Sequence, residues 1–233
     1  MRFAPATPLI AGSSSAPRHR IPAMRFAREA WPFVAPFPLV ALALAATGRR
    51  RSAAATLVAG SAVLLFFRDP DRGFEGDPAI VLAPADGVVT AVDEVEDPAI
   101  GPGRLKRVVT FLSAFDVHVQ RVPADGVVVA STLTRGRKKA AFLVDADKFN
   151  EGHLTVIERP DGVRIGIRQI AGLVARRIVC YLKPGETVRR GQHLGLIKFG
   201  SRVDLLVPEG WEVMVRKGDR LRNGETPVAL PSR

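Results

Sequence analysis

The dipeptide Gly200-Ser201 is the feature of this sequence with the clearest potential for covalent chemistry. A serine hydroxyl can attack the carbonyl of the residue before it, and a glycine there leaves that carbonyl unhindered and the backbone able to strain. β-Elimination of the resulting ester gives a dehydroalanine, which hydrolyses to a pyruvoyl group and ammonia. The product is a ketone-like electrophile made from the chain itself. Since Gly-Ser also occurs in ordinary turns, the dipeptide needs support from its surroundings.

His118 and Asp86 are the residues best suited to move protons. An imidazole can act as proton donor or base near neutral pH, and a carboxylate can orient it or hold its protonated form. Asp86 lies in Pro84-Ala85-Asp86-Gly87-Val88-Val89, which recurs as Pro123-Ala124-Asp125-Gly126-Val127-Val128, 39 residues later. An Asp-Gly pair is typical of a turn that leads into a strand, so either aspartate has a structural interpretation. We assign that structural role to Asp125.

The other reactive side chains indicate little further chemistry. Cys180 is the single cysteine, which excludes an intrachain disulfide, and its apolar surroundings predict a strand residue. The four histidines show no HExxH or HxH spacing, so a zinc hydrolase is disfavoured and we expect no metal. Lys198 supplies an alternative function, the biotinylated or lipoylated lysine of a carrier domain. Its neighbours Ile197 and Phe199 are unlike the small or methionine neighbours of carrier lysines.

The region from residue 80 onward predicts a mainly β fold. Short runs of valine, isoleucine and leucine alternate there with glycine, proline and Asp-Gly, as in β-sandwiches and barrels. The repeated Asp-Gly motif indicates a duplicated hairpin lobe. Glycines at 185, 191 and 195 match the tight hammerhead strands of a biotinyl- or lipoyl-type barrel, where they permit positive φ. The predicted fold class is therefore a β-sandwich or barrel that includes such a hammerhead barrel.

The N-terminal third is basic and apolar. Residues 1–72 hold 10 Arg against 3 acidic residues, so +7 of the chain's net +11 lies there. Two apolar segments, residues 31–47 and 53–67, flank Arg49-Arg50-Arg51 and predict an apolar helical hairpin. Both are short for a hydrocarbon core of about 30 Å, and basic residues on every side conflict with the positive-inside rule. A shallow hairpin on an anionic membrane surface is therefore favoured over two spans.

These observations predict three segments in the chain of 233 residues. Residues 1–24 are expected to be a disordered tail or an over-extended start before Met24. Residues 25–72 are predicted to form the membrane-associating hairpin, and residues 73–233 a β-rich catalytic domain. Because the basic surplus lies mainly outside that domain and only one Tyr and two Trp could stack on bases, we expect no nucleic-acid partner.

Residues 66–207 resemble the short, bacterial form of phosphatidylserine decarboxylase. No single motif is decisive, but eight of them occur in the family's order. They are Phe66-Phe67-Arg68-Asp69-Pro70, Pro84-Ala85-Asp86-Gly87, Phe111-Leu112-Ser113 with Asp116-Val117-His118-Val119, Arg121-Val122-Pro123, Asn150-Glu151, Gln169-Ile170-Ala171-Gly172, Ala175-Arg176-Arg177-Ile178 and Phe199-Gly200-Ser201.

The resemblance implies self-cleavage between Gly200 and Ser201, which gives a large chain, residues 1–200, and a small chain, residues 201–233. Ser201 would become the covalent pyruvoyl cofactor at the start of the small chain. The amine of phosphatidylserine would form a Schiff base with it, carbon dioxide would leave, and protonation and hydrolysis would release phosphatidylethanolamine. His118 matches the histidine of the family's Asp-x-His motif, as proton donor or base. Asp86 matches the relay acid of its first Pro-x-Asp-Gly.

The resemblance also implies a biotinyl-like barrel and a role in phospholipid biosynthesis. The expected location is the cytoplasmic face of the cell membrane, with phosphatidylserine as substrate and the anionic membrane surface as a partner. A monomer and a homo-oligomer are both compatible with the sequence.

One motif departs from the family pattern. Longer family members carry a second histidine three residues after the first, which they use in self-processing, and this chain has Arg121 there. The base that activates Ser201 is therefore either His118 in both steps or His118 with help from His153. His193 follows Gln192 in the predicted barrel loop and is predicted to be a surface residue.

Overall fold

The computed structural model describes residues 24–136, 150–172, 177–198 and 201–232. The helices are a 3-10 turn at Arg28–Ala30, α1 at Trp31–Val34, α2 at Pro36–Ala46 and α3 at Arg50–Phe66. The strands are β1 Met24–Phe26, β2 Arg68–Pro70, β3 Val81–Leu82, β4 Gly87–Glu96, β5 Arg104–Leu112, β6 Val119–Arg121, β7 Gly126–Thr134, β8 Gly152–Glu158, β9 Arg164–Ala171, β10 Ile178–Cys180, β11 Thr187–Val188, β12 His193–Ile197, β13 Ser201–Pro208, β14 Glu212–Val213, β15 Arg220–Leu221 and β16 Pro227–Leu230.

The predicted apolar helical hairpin is present, with α2 packed against α3. Helix α2 begins at Pro36, and proline suits this position because the N–H of the first helical residue has no partner within the helix. Gly60 is required at the helix crossing, since a Cβ atom there would lie 2.7 Å from the Phe37 side chain. Within the described residues, the 19-residue stretch Arg28–Ala46 is long and apolar enough to cross a membrane. Leu39 and Val58 are 70% and 71% exposed, so the hairpin presents apolar side chains outward.

The main sheet has eight antiparallel strands in the order β11-β7-β8-β9-β13-β5-β4-β15, and it curls into a half-barrel. Successive side chains along each strand point to opposite faces of this sheet. The concave face carries the main core, which includes Leu112, Ile157, Ile167 and Val203. A smaller cluster around Ile100 covers part of the other face. The mainly β class predicted from the sequence is confirmed.

Two three-stranded sheets complete the β-rich region, with the orders β10-β12-β6 and β14-β16-β3. Each sheet contains the strand that precedes one copy of the Asp-Gly repeat, β3 before the first copy and β6 before the second. The two copies are bonded to each other reciprocally, because Leu82 N donates to Pro123 O at 3.0 Å and Arg121 N donates to Pro84 O at 2.9 Å. The lobe predicted to be duplicated is thus a pair of equivalent segments that bond each other and lead into β4 and β7, which lie near opposite edges of the main sheet.

The hairpin is joined to the β-rich region at its base. Strand β1 pairs with β2 just after α3, and a second apolar cluster packs Ala30, Phe66 and Phe67 against Leu196 of β12. Phe33 also stacks on Phe67, with ring centroids 5.6 Å apart. The base of the hairpin is therefore part of the folded core.

Candidate active site

Ser201 is the first residue of β13, the strand at the middle of the main sheet. It pairs with Leu112 of β5 on one side and with Ala171 of β9 on the other. Its side chain shares the concave face with Val203, and the residue is fully buried. No described residue supplies a hydrogen-bond partner for Oγ. Gly200 and the bond predicted to be cleaved lie outside the described residues.

His118 is buried, and its environment defines which ring nitrogen holds the proton. Nδ1 lies 2.9 Å from the carbonyl oxygen of Asp116. Because a carbonyl can only accept, Nδ1 carries the hydrogen and Nε2 of the neutral ring has the lone pair. Nε2 is buried and finds no partner in the part of the chain that the structure describes. The arrangement presents a neutral imidazole base inside the protein.

Burial keeps this imidazole neutral at physiological pH. It lowers the pKa of His118 to about 4, although the hydrogen bond to the Asp116 carbonyl and the Asp116 charge act in the opposite direction. The Phe66 ring lies over the imidazole with centroids 4.0 Å apart. The hairpin thus reaches the candidate site directly, through the last residue of α3.

Asp86 is buried at the turn before β4 and makes its hydrogen bonds to Arg72 and Asn223. The Arg72 guanidinium engages both carboxylate oxygens, with Nη2 2.9 Å from Oδ2, and the Asn223 backbone N–H donates to Oδ1 at 2.8 Å. The Asn223 side chain in turn donates to the carbonyl of Val119, next to His118. Asp86 therefore bonds an arginine rather than the imidazole, and it acts on His118 through its charge.

A chain of buried amides connects His118 to the main sheet. Gln120 Nε2 donates to the His118 carbonyl at 2.8 Å, and Gln169 Nε2 donates to Gln120 Oε1 at 3.0 Å. Both glutamines are fully buried. Gln169 sits on β9 opposite Val203, on the same face as Ser201.

Arg121 and His193 share the carboxylate of Asp69. Arg121 Nη2 lies 2.7 Å from Oδ1, and His193 Nε2 lies 2.7 Å from Oδ2. Arg121 also donates to the carbonyls of Pro70 and Gly191, so this position holds the hairpin base against the turn before β12. His193, predicted to be a surface residue in a loop, begins β12 and has a side chain 43% exposed.

His153, the other histidine considered for self-processing, lies in β8 on the same face as Gln169. It is buried, and burial lowers its pKa. Its Nε2 lies 3.3 Å from the Ser131 hydroxyl and its Nδ1 lies 3.5 Å from the Thr155 hydroxyl. Both ring nitrogens are thus engaged one strand further from Ser201 than Gln169 is.

Lys198 follows β12 directly, and its surroundings differ from those of a carrier lysine. Its backbone N–H donates to the carbonyl of Arg177, and Nζ lies 4.9 Å from the centroid of the Phe33 ring in α1. A swinging-arm lysine needs an exposed hairpin tip, whereas this ammonium is held against an aromatic ring. The geometry gives the carrier alternative no support.

A cleft of about 440 Å³ opens beside the hairpin base. Its lining includes Arg25, Arg28, Asp69, Val119, Tyr181 and His193. The Arg28 guanidinium lies 5.1 Å from the centroid of the Tyr181 ring. Since Val119 follows His118 in the chain, this basic cleft adjoins the candidate site.

Sequence reasoning missed four residues that surround the predicted ones: Phe66, Arg72, Gln120 and Asn223. Phe66 lies inside a motif of the resemblance and Gln120 stands between two of them, but a motif does not say which side chain contacts which. Arg72 and Asn223 lie 151 residues apart, and nothing in their spacing indicates that both bond Asp86.

Comparison with known proteins agrees with this geometry. The model of the family described as phosphatidylserine decarboxylase matches residues 60–229. Three similar proteins carry the name phosphatidylserine decarboxylase proenzyme. One from Erythrobacter litoralis is 43% identical and covers 72% of this chain and of its own. One from Mycobacterium sp. strain JLS is 45% identical, over 83% of this chain and 85% of its own. One from Burkholderia ambifaria is 40% identical, over 87% and 94%. A chain matched so closely over most of its length, with a buried serine and a neutral imidazole where the motifs predict them, belongs to the phosphatidylserine decarboxylase family.

Proposed function

We propose that this protein decarboxylates phosphatidylserine to phosphatidylethanolamine and carbon dioxide, with a pyruvoyl group that it generates from Ser201. The observation that supports this most directly is the buried Ser201 Oγ at the start of β13, without a partner among the described residues. Burying a hydroxyl without a hydrogen bond is unfavourable, and such a group is expected where it serves a reaction. The name proenzyme, given to the similar proteins, agrees with a precursor that is cleaved.

In the precursor, we propose that Ser201 Oγ attacks the carbonyl of Gly200 while His118 accepts the serine proton. The bond between the Gly200 carbonyl carbon and the Ser201 nitrogen then breaks as His118 returns this proton to that nitrogen, which leaves an ester between the two residues. His118 Nε2 has the lone pair for this step, because its Nδ1–H is committed to the Asp116 carbonyl. Arg121 cannot replace it, since its guanidinium is bound to Asp69 and carries no lone pair at neutral pH. We therefore favour His118 as the base for both self-cleavage and the later reaction, without help from His153.

In the mature enzyme, the pyruvoyl group supplies an electron sink for the pair released when the carboxylate leaves as carbon dioxide. The chain's own residues supply the proton traffic. Neutral His118 can take a proton from the substrate ammonium and return it to the carbon that loses the carboxylate. The Asp86 carboxylate, which Arg72 holds in place, contributes a negative charge that favours the protonated His118 ring during that exchange.

We propose that the enzyme acts at the cytoplasmic face of the cell membrane, in phospholipid biosynthesis. The exposed apolar side chains of the hairpin fit an interfacial anchor, and Arg25 and Arg28 at its base fit the anionic surface of the inner leaflet. The contact of the Phe66 ring with the His118 ring brings the hairpin to the proposed reaction centre. A lipid that remains in the membrane could thereby present its headgroup to the site.

We also propose that the region 183–197 is the hammerhead part of a biotinyl-like barrel. Gly185 and Gly191 have φ values of 85° and 83°, which supports two of the predicted turns. The prediction of a positive φ was wrong for Gly195, which is needed for another reason: a Cβ atom there would lie 2.0 Å from the Val179 carbonyl oxygen. The large chain, residues 1–200, and the small chain, residues 201–233, would stay together, because β13 is bonded to strands of the large chain on both sides.

The intact mass under denaturing conditions tests the proposed function. The parent protein should give two chains, with the smaller one lighter by one ammonia than a chain that starts with serine. Ser201→Ala should remain a single chain of 25.1 kDa without decarboxylase activity. A cleaved Ser201→Ala variant, or an active parent of full length, would contradict the proposal.

A charge-insertion experiment tests the membrane part. Leu39→Glu, Leu42→Glu and Val58→Glu together alter side chains that are 70%, 68% and 71% exposed, and they leave the Gly60–Phe37 contact intact. This variant should no longer sediment with vesicles of phosphatidylcholine and phosphatidylglycerol. Met214→Glu, at an apolar position in the β-rich region that is 48% exposed, is the control and should bind like the parent. Equal sedimentation of all three proteins would place the membrane contact elsewhere.

A further inference from the structure

The turn between β5 and β6 carries the most exposed large apolar side chain in the described part of the chain. This side chain is Phe115, and it is 86% exposed, more than any large apolar residue of the hairpin. We call residues 113–116 the Phe115 turn. A single exposed apolar residue is ordinary on a protein surface, so the surroundings of the ring decide its meaning.

The Phe115 turn is closed by its own hydrogen bonds. The backbone N–H and the hydroxyl of Ser113 donate to Asp116 Oδ2 at 2.8 and 2.7 Å, and Asp116 N donates to Ser113 O at 3.0 Å. Arg220 donates to the other carboxylate oxygen of Asp116. Because this backbone is already fixed, burial of the Phe115 ring in an apolar phase would require little further ordering of the chain.

One guanidinium group joins the Phe115 turn to the hairpin. Arg68 donates through Nη1 to the Leu65 carbonyl at 3.0 Å and through Nη2 to the Phe115 carbonyl. Leu65 lies in the last turn of α3 and is itself 53% exposed. The Phe115 turn therefore lies beside the base of the hairpin, where the exposed apolar surface of the hairpin meets the β-rich region.

The charges beside the ring favour an anionic membrane as the partner. Arg68 forms no ion pair with any described carboxylate, since both of its hydrogen bonds go to carbonyl oxygens. Arg220 bonds Asp116, yet its side chain is 67% exposed. An apolar side chain at the same level as basic groups is typical of segments that bind the interface of an anionic bilayer.

We propose that the Phe115 turn is a second membrane contact: its ring enters the acyl-chain boundary of an anionic bilayer, and Arg68 and Arg220 face the lipid headgroups. The inference rests on the proposed membrane location. It also goes beyond that proposal, which assigns the apolar contact to the hairpin alone.

The Phe115 turn also carries a backbone group of the candidate site. The Asp116 carbonyl is the acceptor for His118 Nδ1, at 2.9 Å. A turn that enters the bilayer one residue earlier therefore keeps the imidazole close to the headgroup layer. The amine and carboxylate of phosphatidylserine lie in that layer, so this second contact orients the site toward a substrate that stays in the membrane.

A fluorophore on the Phe115 turn tests the contact directly. The environment-sensitive dye NBD is attached to Phe115→Cys in a full chain that also carries Cys180→Ala, so that each chain has a single thiol. With vesicles of phosphatidylcholine and phosphatidylglycerol, its emission should shift to the blue and increase severalfold.

Gly210→Cys in the same Cys180→Ala chain is the matched control. Gly210 is exposed in the turn after β13, at the opposite end of this strand from Ser201, and a Cβ atom there has nothing within 4 Å. NBD at this position should keep its emission when vesicles are added.

Vesicle binding by unlabelled protein gives a second measurement. Phe115→Ser should raise the apparent Kd for these vesicles about tenfold, because the apolar area of the ring is lost from the contact. Phe115→Leu should restore most of the binding, and Met214→Ser, at another exposed apolar position, should bind like the parent.

Two results would overturn the inference. One is unchanged emission from the dye at residue 115 while the parent chain sediments with the vesicles. The other is a blue shift that needs no vesicles and grows with protein concentration, which would identify a second copy of the chain as the partner. A parent chain that does not sediment would instead contradict the proposed membrane location. Neither measurement depends on cleavage or decarboxylation, so these failures can be told apart.

Discussion

The two segments 79–89 and 118–128 have the same backbone arrangement but different chemistry. In the first, Val89 N donates to Asp219 O and Gly218 N donates to Val89 O. In the second, Val128 N donates to Glu186 O and Gly185 N donates to Val128 O. Strands β4 and β7 begin at the corresponding glycines, Gly87 and Gly126. The fold thus uses one backbone design twice.

The side chains break this equivalence. Where the second segment has His118, Gln120 and Arg121, the first has the apolar residues Ala79, Val81 and Leu82. The two aspartates differ in the other direction, since the buried one belongs to the first segment and the exposed one to the second. Asp86 is buried against Arg72, whereas Asp125 is exposed and accepts a hydrogen bond from Arg190 N at 2.6 Å, the structural role predicted for it. The repeat therefore provides the backbone scaffold. The side chains that differ between the two segments provide the candidate site.

The largest effect should come from removing the histidine that only the second segment has. His118→Ala should slow self-cleavage at least about a hundredfold and leave almost no decarboxylase activity, since the base proposed for both steps is lost. Activity is measured by release of carbon dioxide, and the pyruvoyl content by mass. His153→Ala should have a much smaller effect, because both ring nitrogens of His153 already contact hydroxyl groups. Full activity of His118→Ala would mean that the reaction does not need the histidine that distinguishes the second segment from the first.

The next effect compares the two aspartates directly. Asp86→Asn leaves the buried Arg72 charge without a carboxylate and should lower the free energy of unfolding by about 3 kcal/mol. Asp125→Asn keeps an acceptor for Arg190 N at an exposed turn and should change it by less than about 0.5 kcal/mol. Urea unfolding in the Ser201→Ala background avoids mixing precursor with cleaved chains. Equal effects at the two positions would mean that the segments are equivalent in stability as well as in backbone.

The smallest effect is a pH dependence between pH 7 and 5 that comes from the histidine of the second segment. The folded pKa of His118, about 4, lies below the value of 6.5 for a solvent-exposed histidine, so the unfolded chain binds a proton in this window that the folded chain does not. Stability should therefore fall as the pH drops from 6.5 toward 4, by roughly 2 kcal/mol at pH 5 for this group. His118→Gln should show a shallower slope in urea unfolding at pH 7 and 5. The slope that remains would come in part from His153, whose pKa burial also lowers. An unchanged slope would show that His118 is not buried as described.

The sequence was informative where chemistry and turns depend on local residue order. The Asp-Gly repeat predicted the duplicated lobe, and the apolar segments around Arg49-Arg50-Arg51 predicted the hairpin. It was uninformative about which distant side chains meet, because partner choice depends on the folded sheet. Asp86 was expected to orient a histidine, yet its nearest cation, Arg72, comes from the segment after the hairpin. The second pair of equivalent turns was also missed, although Gly185–Gly191 and Gly218–Gly224 share the pattern glycine, acidic residue, any residue, apolar residue, arginine, any residue, glycine.

Because β13 lies in the middle of the main sheet, the proposed cleavage before it would change unfolding from a one-chain to a two-chain process. Eight residues of this strand are bonded to β5 and six of them to β9, so the proposed small chain holds the middle of a sheet built by the large chain. Before cleavage, unfolding is unimolecular and its midpoint is independent of protein concentration. After the proposed cleavage, complete unfolding would release two separate polypeptides, and refolding would become a second-order encounter. The uncleaved chain is therefore expected to refold efficiently, and the proposed two-chain form, once opened, is expected to recover slowly at low concentration.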